Sequence, residues 1–276
     1  MNYLVLGSEG QVGKPLCNYL ENKGHTVFTY DIAADINQDL RQEPSYHLRT
    51  LFEQCDFVFF LAFDVGGSLY LQRYERSLVF LQNNTSIMQN TFDLLGYYQK
   101  PFLFASSQMS NMLYSSYGVL KQLGEHYTSV LGGLSVKFWN VYGPEEDPEK
   151  THVITDFVKM GKEGMIKCRT SGEELRQFLY VEDACEALYN LSCAYEKPTP
   201  TEPLHITSFE WSSIKQVGEI LADKLNCSLS FATKTDEVQK DARNEADENI
   251  LKYWKPTTAL DEGLQKIINY SMKETK

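Results

Sequence analysis

Through the first 140 residues, apolar and polar positions fall into two alternating patterns. Asn2-Tyr3-Leu4-Val5-Leu6 is an apolar run of strand length; a glycine-bearing turn follows, then a helical stretch from about Val12 to Asn22 that Gly24 stops. Thr26–Tyr30, β-branched and aromatic, reads as a strand ending on Asp31. Pro44 to Gln54 reads as a helix, Asp56–Ala62 as a buried strand, Leu69 to Tyr98 as one or two helices and Pro101–Ala105 as a strand. Ser115 to Leu131 reads as a helix closed by Gly132-Gly133, and Leu134–Val141 as the next strand. Strands alternating with helices form βαβ units, and these imply a parallel sheet covered on both faces. After Gly143 the segments shorten. Pro144-Glu145-Glu146-Asp147-Pro148 reads as a surface loop, Glu182–Tyr195 as a helix, Leu204–Thr207 as a late strand and Ser212–Leu225 as a Ser-capped amphipathic helix. A strand at Leu229–Ala232, a polar helix and a terminal helix after Asp261 complete the pattern.

Gly7-Ser8-Glu9-Gly10-Gln11-Val12-Gly13 is G-x-x-G-x-x-G placed between the first strand and the first helix. Gly7 permits the tight turn. Gly10 lets backbone N–H groups approach a pyrophosphate at the positive helix end, and Gly13 allows close helix–sheet contact. Gln11 and Val12 share that turn. Asp31, with Ile32 beside it, ends the second strand where a carboxylate accepts hydrogen bonds from the adenosine ribose and repels a 2′-phosphate, so the expected cofactor is NAD. The expected fold is therefore α/β, a Rossmann-type doubly wound parallel sheet with a smaller C-terminal α/β substrate lobe. Residues 1–143 with about 181–206 would form the NAD-binding part, and about 144–180 with 207–276 the lobe.

Tyr117-Gly118-Val119-Leu120-Lys121 is Y-x-x-x-K inside a helix, with phenol and ammonium on one face. A free phenol, with a pKa near ~10, is too weakly acidic to serve as a base at neutral pH; a cation held beside it favours the phenolate. Ten residues upstream of the tyrosine, the strand Phe102-Leu103-Phe104-Ala105-Ser106-Ser107 delivers two hydroxyls to the carboxyl edge of the sheet, where parallel sheets bind ligands. Ser107, Tyr117 and Lys121 are the candidate catalytic group.

Composition narrows the setting. The 276 residues are 42% hydrophobic, enough to bury a core, and carry 26 Lys and Arg against 37 Asp and Glu, a net charge of −11. That balance argues against nucleic-acid binding by phosphate neutralisation, although a local basic pocket for a small phosphorylated ligand is compatible with it. No apolar run approaches the ~18 residues of a membrane-spanning helix. The six cysteines are scattered without a C-x-x-C pair, so neither metal nor disulfide framework is expected, and with no basic leader before the first strand the expected location is cytoplasmic.

In combination these features resemble the extended short-chain dehydrogenase/reductases that act on nucleotide sugars, along essentially the whole chain. Asp56-Phe57-Val58-Phe59-Phe60-Leu61-Ala62 resembles the family's D-x-V-F-H-L-A strand, with Phe60 in the His place; the resemblance puts Leu61, Ala62 and Phe63 beside the cofactor. Asp39-Leu40 resemble the D-[IL] pair at the adenine, and Asn83-Asn84 the N-N pair near the nicotinamide, which implicates Asn84. Trp139-Asn140-Val141-Tyr142-Gly143-Pro144 resembles the N-V-Y-G-P turn at the sugar-nucleotide site and implicates Asn140. Arg176-Gln177-Phe178-Leu179-Tyr180-Val181-Glu182-Asp183 resembles R-D-F-x-Y-V-x-D, whose Arg contacts the substrate diphosphate; Gln177 replaces the Asp. Trp254 to Leu264 is similar to the family's closing W-x-P-x-T-x-L-x-E-G-L. Arg243 is a second diphosphate candidate by resemblance, and by its neighbours Asp241, Glu245 and Asp247 it reads equally as a solvated helix charge.

The resemblance implies hydride transfer at C4 of a nucleotide-linked sugar, with the enzyme a 4-epimerase or a 4-dehydrogenase/4-ketoreductase. Gln108 and Met109 stand where the 4,6-dehydratases carry acids, which argues against dehydration. Val65-Gly66-Gly67 resembles the x-G-G of GDP-sugar members, and Lys150-Thr151-His152-Val153-Ile154 the segment that supplies their second acid. Gly66, Gly67, His152 and Val153 are thus expected at the substrate, with a GDP-sugar weakly preferred. Relatives dimerise through a four-helix bundle, for which Leu78, Leu81, Met88 and Phe92 with Leu120, Leu123 and Tyr127 are the available face. The competing class is a catalytically silent NAD-binding regulator; an unrelated small-alcohol oxidoreductase comes third.

Overall fold

The computed structural model describes residues 1–195, 200, 202–236, 238 and 244–273. Its first half runs β1 (Asn2–Leu6), α1 (Gly13–Asn22), β2 (Thr26–Tyr30), α2 (Tyr46–Gln54), β3 (Phe57–Phe60), α3 (Ser68–Tyr74), α4 (Leu78–Tyr98), β4 (Phe102–Ser107), α5 (Ser116–Leu131) and β5 (Leu134–Phe138). There follow β6 (Asn140–Tyr142), α6 (Val153–Lys162), β7 (Met165–Cys168), β8 (Leu175–Tyr180), α7 (Val181–Cys193), β9 (Leu204–Ile206), β10 (Trp211–Ser213), α8 (Ile214–Leu225), β11 (Ser228–Phe231) and α9 (Leu260–Lys273). Six strands in the order β2-β1-β3-β4-β5-β9 make one sheet, parallel throughout. The chain runs outward from β1 in both directions, so the sheet is doubly wound and a crevice opens at the carboxyl ends of β1 and β3.

Alternation along the strands divides the core between the two faces. Tyr3, Val5, Phe57 and Phe59 pack with Leu16 and Leu20 of α1 and with Leu188 and Leu191 of α7. Leu4, Leu6, Val58 and Phe60 pack with Phe52, Phe92, Phe104 and Leu120 from α2, α4, β4 and α5. All four residues of β3 are buried, as a central strand covered on both faces requires, and each such side chain contributes roughly 1.5–3 kcal/mol.

Three differences from the sequence pattern bear on the site. The run expected as one strand, Leu134–Val141, breaks at Trp139, whose ring packs against His205 and Trp211. Asn140–Tyr142 therefore leaves the main sheet and pairs with β8, which also pairs with β10. α6, β7 and β8 fill the stretch after 148, where the sequence pattern predicts no element, α6 burying Ile154, Phe157, Val158 and Gly161 at helical spacing. Where a polar helix was expected, the described residues show a short 3-10 turn, Glu248–Lys252; residues 237 and 239–243 lie outside the described residues.

The closing motif has a structural role. Asp183, near the start of α7, accepts the backbone N–H groups of Thr257 and Thr258 at 3.0 and 2.8 Å and both of their hydroxyls, which pins the C-terminal segment to α7. Of the expected dimer face, Met88, Phe92 and Leu120 are instead buried in the core, because they sit on the inner sides of α4 and α5; Leu78, Leu81, Leu123 and Tyr127 remain exposed. No helix among the described residues is long and apolar enough to cross a membrane.

Candidate active site

A cavity of about 1600 Å³ lies along the carboxyl ends of the parallel strands and continues over β8. Single small-molecule sites are typically ~300–1,000 Å³, so this one has room for two ligands end to end.

The glycine loop builds the first half. Gly7 has φ +87°, and a β-carbon there would stand 2.6 Å from the Ala62 nitrogen; a β-carbon on Gly13 would overlap the Gly7 carbonyl. The loop is thus pressed flat between β3 and α1. Val12, at the head of α1, makes no side-chain cap and no acid stands in the first turn, so no side chain neutralises the positive end of the helix beside the cavity. The Ser8 hydroxyl is buried without a partner in the same loop. Asp31 is held by two backbone donors, Glu9 N at 2.9 Å and Ala33 N at 2.8 Å, with Ile32 beside it on the cavity wall. An uncapped helix start facing a pyrophosphate and a backbone-oriented carboxylate facing a ribose suit NAD. Gln11 lines the cavity while donating to the Val141 carbonyl at 3.3 Å, which ties the loop to β6. Leu40, Leu61, Ala62 and Phe63 line it as expected.

Two cofactor candidates have partners within the protein. Asp39 is in the wall, but its carboxylate is gripped by both ends of the Arg41 guanidinium at 2.8 Å, which holds it below its ordinary pKa. Asn84 is not in the wall. Its amide accepts Asp64 N at 2.7 Å and donates to the Asp64 and Phe80 carbonyls, so it shapes the turn after β3.

The catalytic group assembles where β4 meets α5. Ser107 accepts Met109 N–H at 3.2 Å, which leaves the hydroxyl proton free to donate. Burial pushes the Tyr117 phenol up to about 12, against a smaller lowering by the neighbouring Ser107 hydroxyl. Lys121 donates to the Ala105 carbonyl at 2.6 Å and lies 3.7 Å over the Phe63 ring. Burial brings its ammonium down to about 7, with Glu125 opposing. Glu125 itself accepts the Ser106 hydroxyl at 2.5 Å and pairs with Lys137 at 3.6 Å. Tyr117, Lys121 and Glu125 recur every four residues along α5, and each meets the end of β4.

Lys121 makes the stability of the unliganded protein depend on pH. An unfolded lysine keeps its proton to about pH 10.4, whereas the folded one releases it near 7. Between those values the unfolded chain binds more protons, so this group makes stability rise with pH, by at most about 1.4 kcal/mol per pH unit. Lys121→Met is expected to remove that rise between pH 7 and 9. Urea unfolding at several pH values measures it, and an unchanged slope would show that the lysine is not desolvated.

The second half of the cavity holds the expected substrate residues. The Asn140 side-chain oxygen is buried without a partner on the wall. Val153 and His152 head α6. His152 is held by Glu145 at two points, its backbone N–H at 2.9 Å and its Nδ1 at 2.5 Å. Burial works against the charged imidazole, but Glu145 outweighs it and raises the pKa above the ordinary histidine value. The loop 144–148 is therefore not all surface: the Glu145 side chain is only 7% exposed. Arg176 is buried at the wall and donates to Asp236. Gly66 and Gly67 line the cavity, but they are small for another reason. A β-carbon on either would strike the backbone of Lys150 or Thr151, and Gly67 N donates to the Lys150 carbonyl at 3.0 Å. Arg243 lies outside the described residues.

The pattern also missed a polar cluster in the wall around Asp64. Tyr70 donates to it at 2.6 Å, Asn83 at 2.9 Å, and Lys150 sits 3.5 Å away. Burial opposes its charge, but these three hold its pKa below the ordinary carboxylate value. The Asn83-Asn84 pair was the one pointer to this turn; Lys150 is too distant in the chain to suggest it.

The chain is similar to known proteins both in sequence and in fold. The chain is 26% identical over 142 residues to UDP-glucuronic acid decarboxylase 1 of Xenopus tropicalis, a match that takes in 50% of this chain and only 33% of that protein. An epimerase from Methanothermobacter thermautotrophicus superposes with a TM-score of 0.81 at 20% identity, over 99% of this chain and 93% of that one. A UDP-glucose 4-epimerase from Thermotoga maritima does so at 0.78 and 19%, and a UDP-glucuronic acid 4-epimerase from Bacillus cereus, solved with NAD, at 0.79 and 20%, both over 100% of each chain. At these identities the superpositions speak for the fold. Residues 3–202, which span the glycine loop, Asp31, Ser107, Tyr117, Lys121 and Arg176, match the sequence profile of the NAD dependent epimerase/dehydratase family, and the chain belongs to that family.

Proposed function

We propose that this NAD-dependent enzyme acts at C4 of a nucleotide-linked sugar, as a 4-epimerase or a 4-dehydrogenase/4-ketoreductase. The carrying observation is the convergence of Ser107 and Tyr117, with Lys121 one turn on, beside the glycine-loop cradle. NAD, when bound, supplies the hydride acceptor. Tyr117 takes the proton of the sugar hydroxyl. The Ser107 hydroxyl donates to the same oxygen as charge develops on it. A charged Lys121 beneath Tyr117 lowers the cost of the phenolate. At the far end Arg176 clamps the diphosphate, and Asn140 offers an acceptor to a ligand hydroxyl or amide; together they position the sugar.

Gln108 and Met109 are buried next to Ser107, and Asn244 donates to the Gln108 side-chain carbonyl at 2.5 Å. Neither can protonate a sugar carbon, which supports chemistry confined to C4. Because Gly66 and Gly67 are small to admit the 150–152 backbone, they support no preference for a guanine base. UDP-sugars, bound by several proteins of similar fold, are the first to try. The enzyme incubated with NAD and UDP-, GDP- and dTDP-sugars is expected to yield a C4 epimer or a 4-keto product, read by reduced-nicotinamide absorbance and sugar NMR. A 4,6-dehydration product would overturn the assignment.

A further inference from the structure

Arg176 is only 9% exposed, yet it lines the cavity. Its Nη1 donates to the Leu175 carbonyl at 2.7 Å and its Nη2 to Asp236 Oδ2 at 2.5 Å. Asp236 also lines the cavity, and its other oxygen accepts Val238 N at 2.8 Å, so the carboxylate is aimed from its own backbone turn. The two residues are 60 apart in sequence and join β8 to the segment after β11.

We infer that Asp236 is a built-in counter-ion of Arg176, exchanged for the substrate diphosphate, and that it thereby sets the phosphate affinity of the site. The inference rests on Arg176 being the diphosphate clamp. A guanidinium has five N–H donors, and two are taken. A phosphate that takes the guanidinium in its bidentate grip must draw Nη2 away from the carboxylate. Asp236 therefore has to release Nη2 for the ligand to bind, and that exchange reduces the net gain. The carboxylate also has a use, since a buried guanidinium with no partner is costly. It keeps Arg176 in place and in one orientation between turnovers.

The test uses the NADH-saturated protein, so that the cofactor half is filled, and calorimetric binding of inorganic pyrophosphate and of UDP. Asp236→Asn removes the charge and keeps one of the two accepting oxygens; it is expected to tighten pyrophosphate and UDP binding by about three- to tenfold. Arg176→Met is expected to weaken both by about tenfold or more, and adding Asp236→Asn to it should then change nothing. If Asp236→Asn binds no tighter while Arg176→Met binds more weakly, the clamp stands and the counter-ion exchange is refuted. If the gain survives without Arg176, it is a general charge effect and the exchange is likewise refuted. If Arg176→Met binds as the unaltered protein does, the clamp fails and the exchange with it.

Discussion

Tyr117→Phe is expected to lower turnover of the nucleotide sugar by about 10³-fold, within the range for loss of a general acid–base group, while NADH binding stays within about twofold of the unaltered protein. The substitution removes one oxygen. The ring keeps its edge-on contact with Phe63, 5.7 Å between centroids, and the helix keeps its Ser115 cap, so the site should retain its shape. What is lost is the acceptor for the sugar hydroxyl proton. Ser107 cannot replace it, since an alcohol is far too weak an acid to rest as an alkoxide. Single-turnover absorbance at the reduced-nicotinamide band measures the effect. Turnover within tenfold of normal would remove Tyr117 from the chemistry, and unimpaired biological function without any turnover would favour the silent regulatory alternative.

Gly13→Ala is expected to abolish useful NAD binding, a loss on the order of 100-fold or more in affinity, together with about 1–3 kcal/mol of stability from overpacking. A β-carbon at this position overlaps the Gly7 carbonyl, and its next neighbours are the Gly7 carbonyl carbon at 2.9 Å and Ser8 Cα at 3.0 Å. All are backbone, so no rotamer change relieves the clash. The loop must lift off α1, and the N–H groups at the helix start then lose their aim at the pyrophosphate. Fluorescence titration with NADH and denaturant unfolding separate the two effects. Undiminished NADH affinity would mean that the cofactor lies elsewhere. Gly10→Ala is a milder control, because its β-carbon approaches the Gly7 carbonyl only to 3.3 Å.

The cofactor cradle and the catalytic group were legible in the sequence because each is a local pattern whose geometry follows from its secondary structure. A glycine turn between strand and helix needs no distant residue to define it, nor does an acid at a strand end. Y-x-x-x-K puts its two side chains on one helical face wherever that helix lies. The βαβ order likewise determined a parallel sheet and, with it, the edge at which Ser107 had to emerge.

Tertiary structure alone decided the partners. Asn84 turned its amide onto Asp64 and away from the cavity. Gly66 and Gly67 proved small because another strand of backbone crosses them. Glu145 left an apparently solvated acidic loop to orient His152, and Arg176 found Asp236 sixty residues away. Each of these depends on where two segments remote in the chain come to rest. That is settled by how the apolar faces of the helices close over the sheet, a sum of many small contacts that no single spacing of residues records.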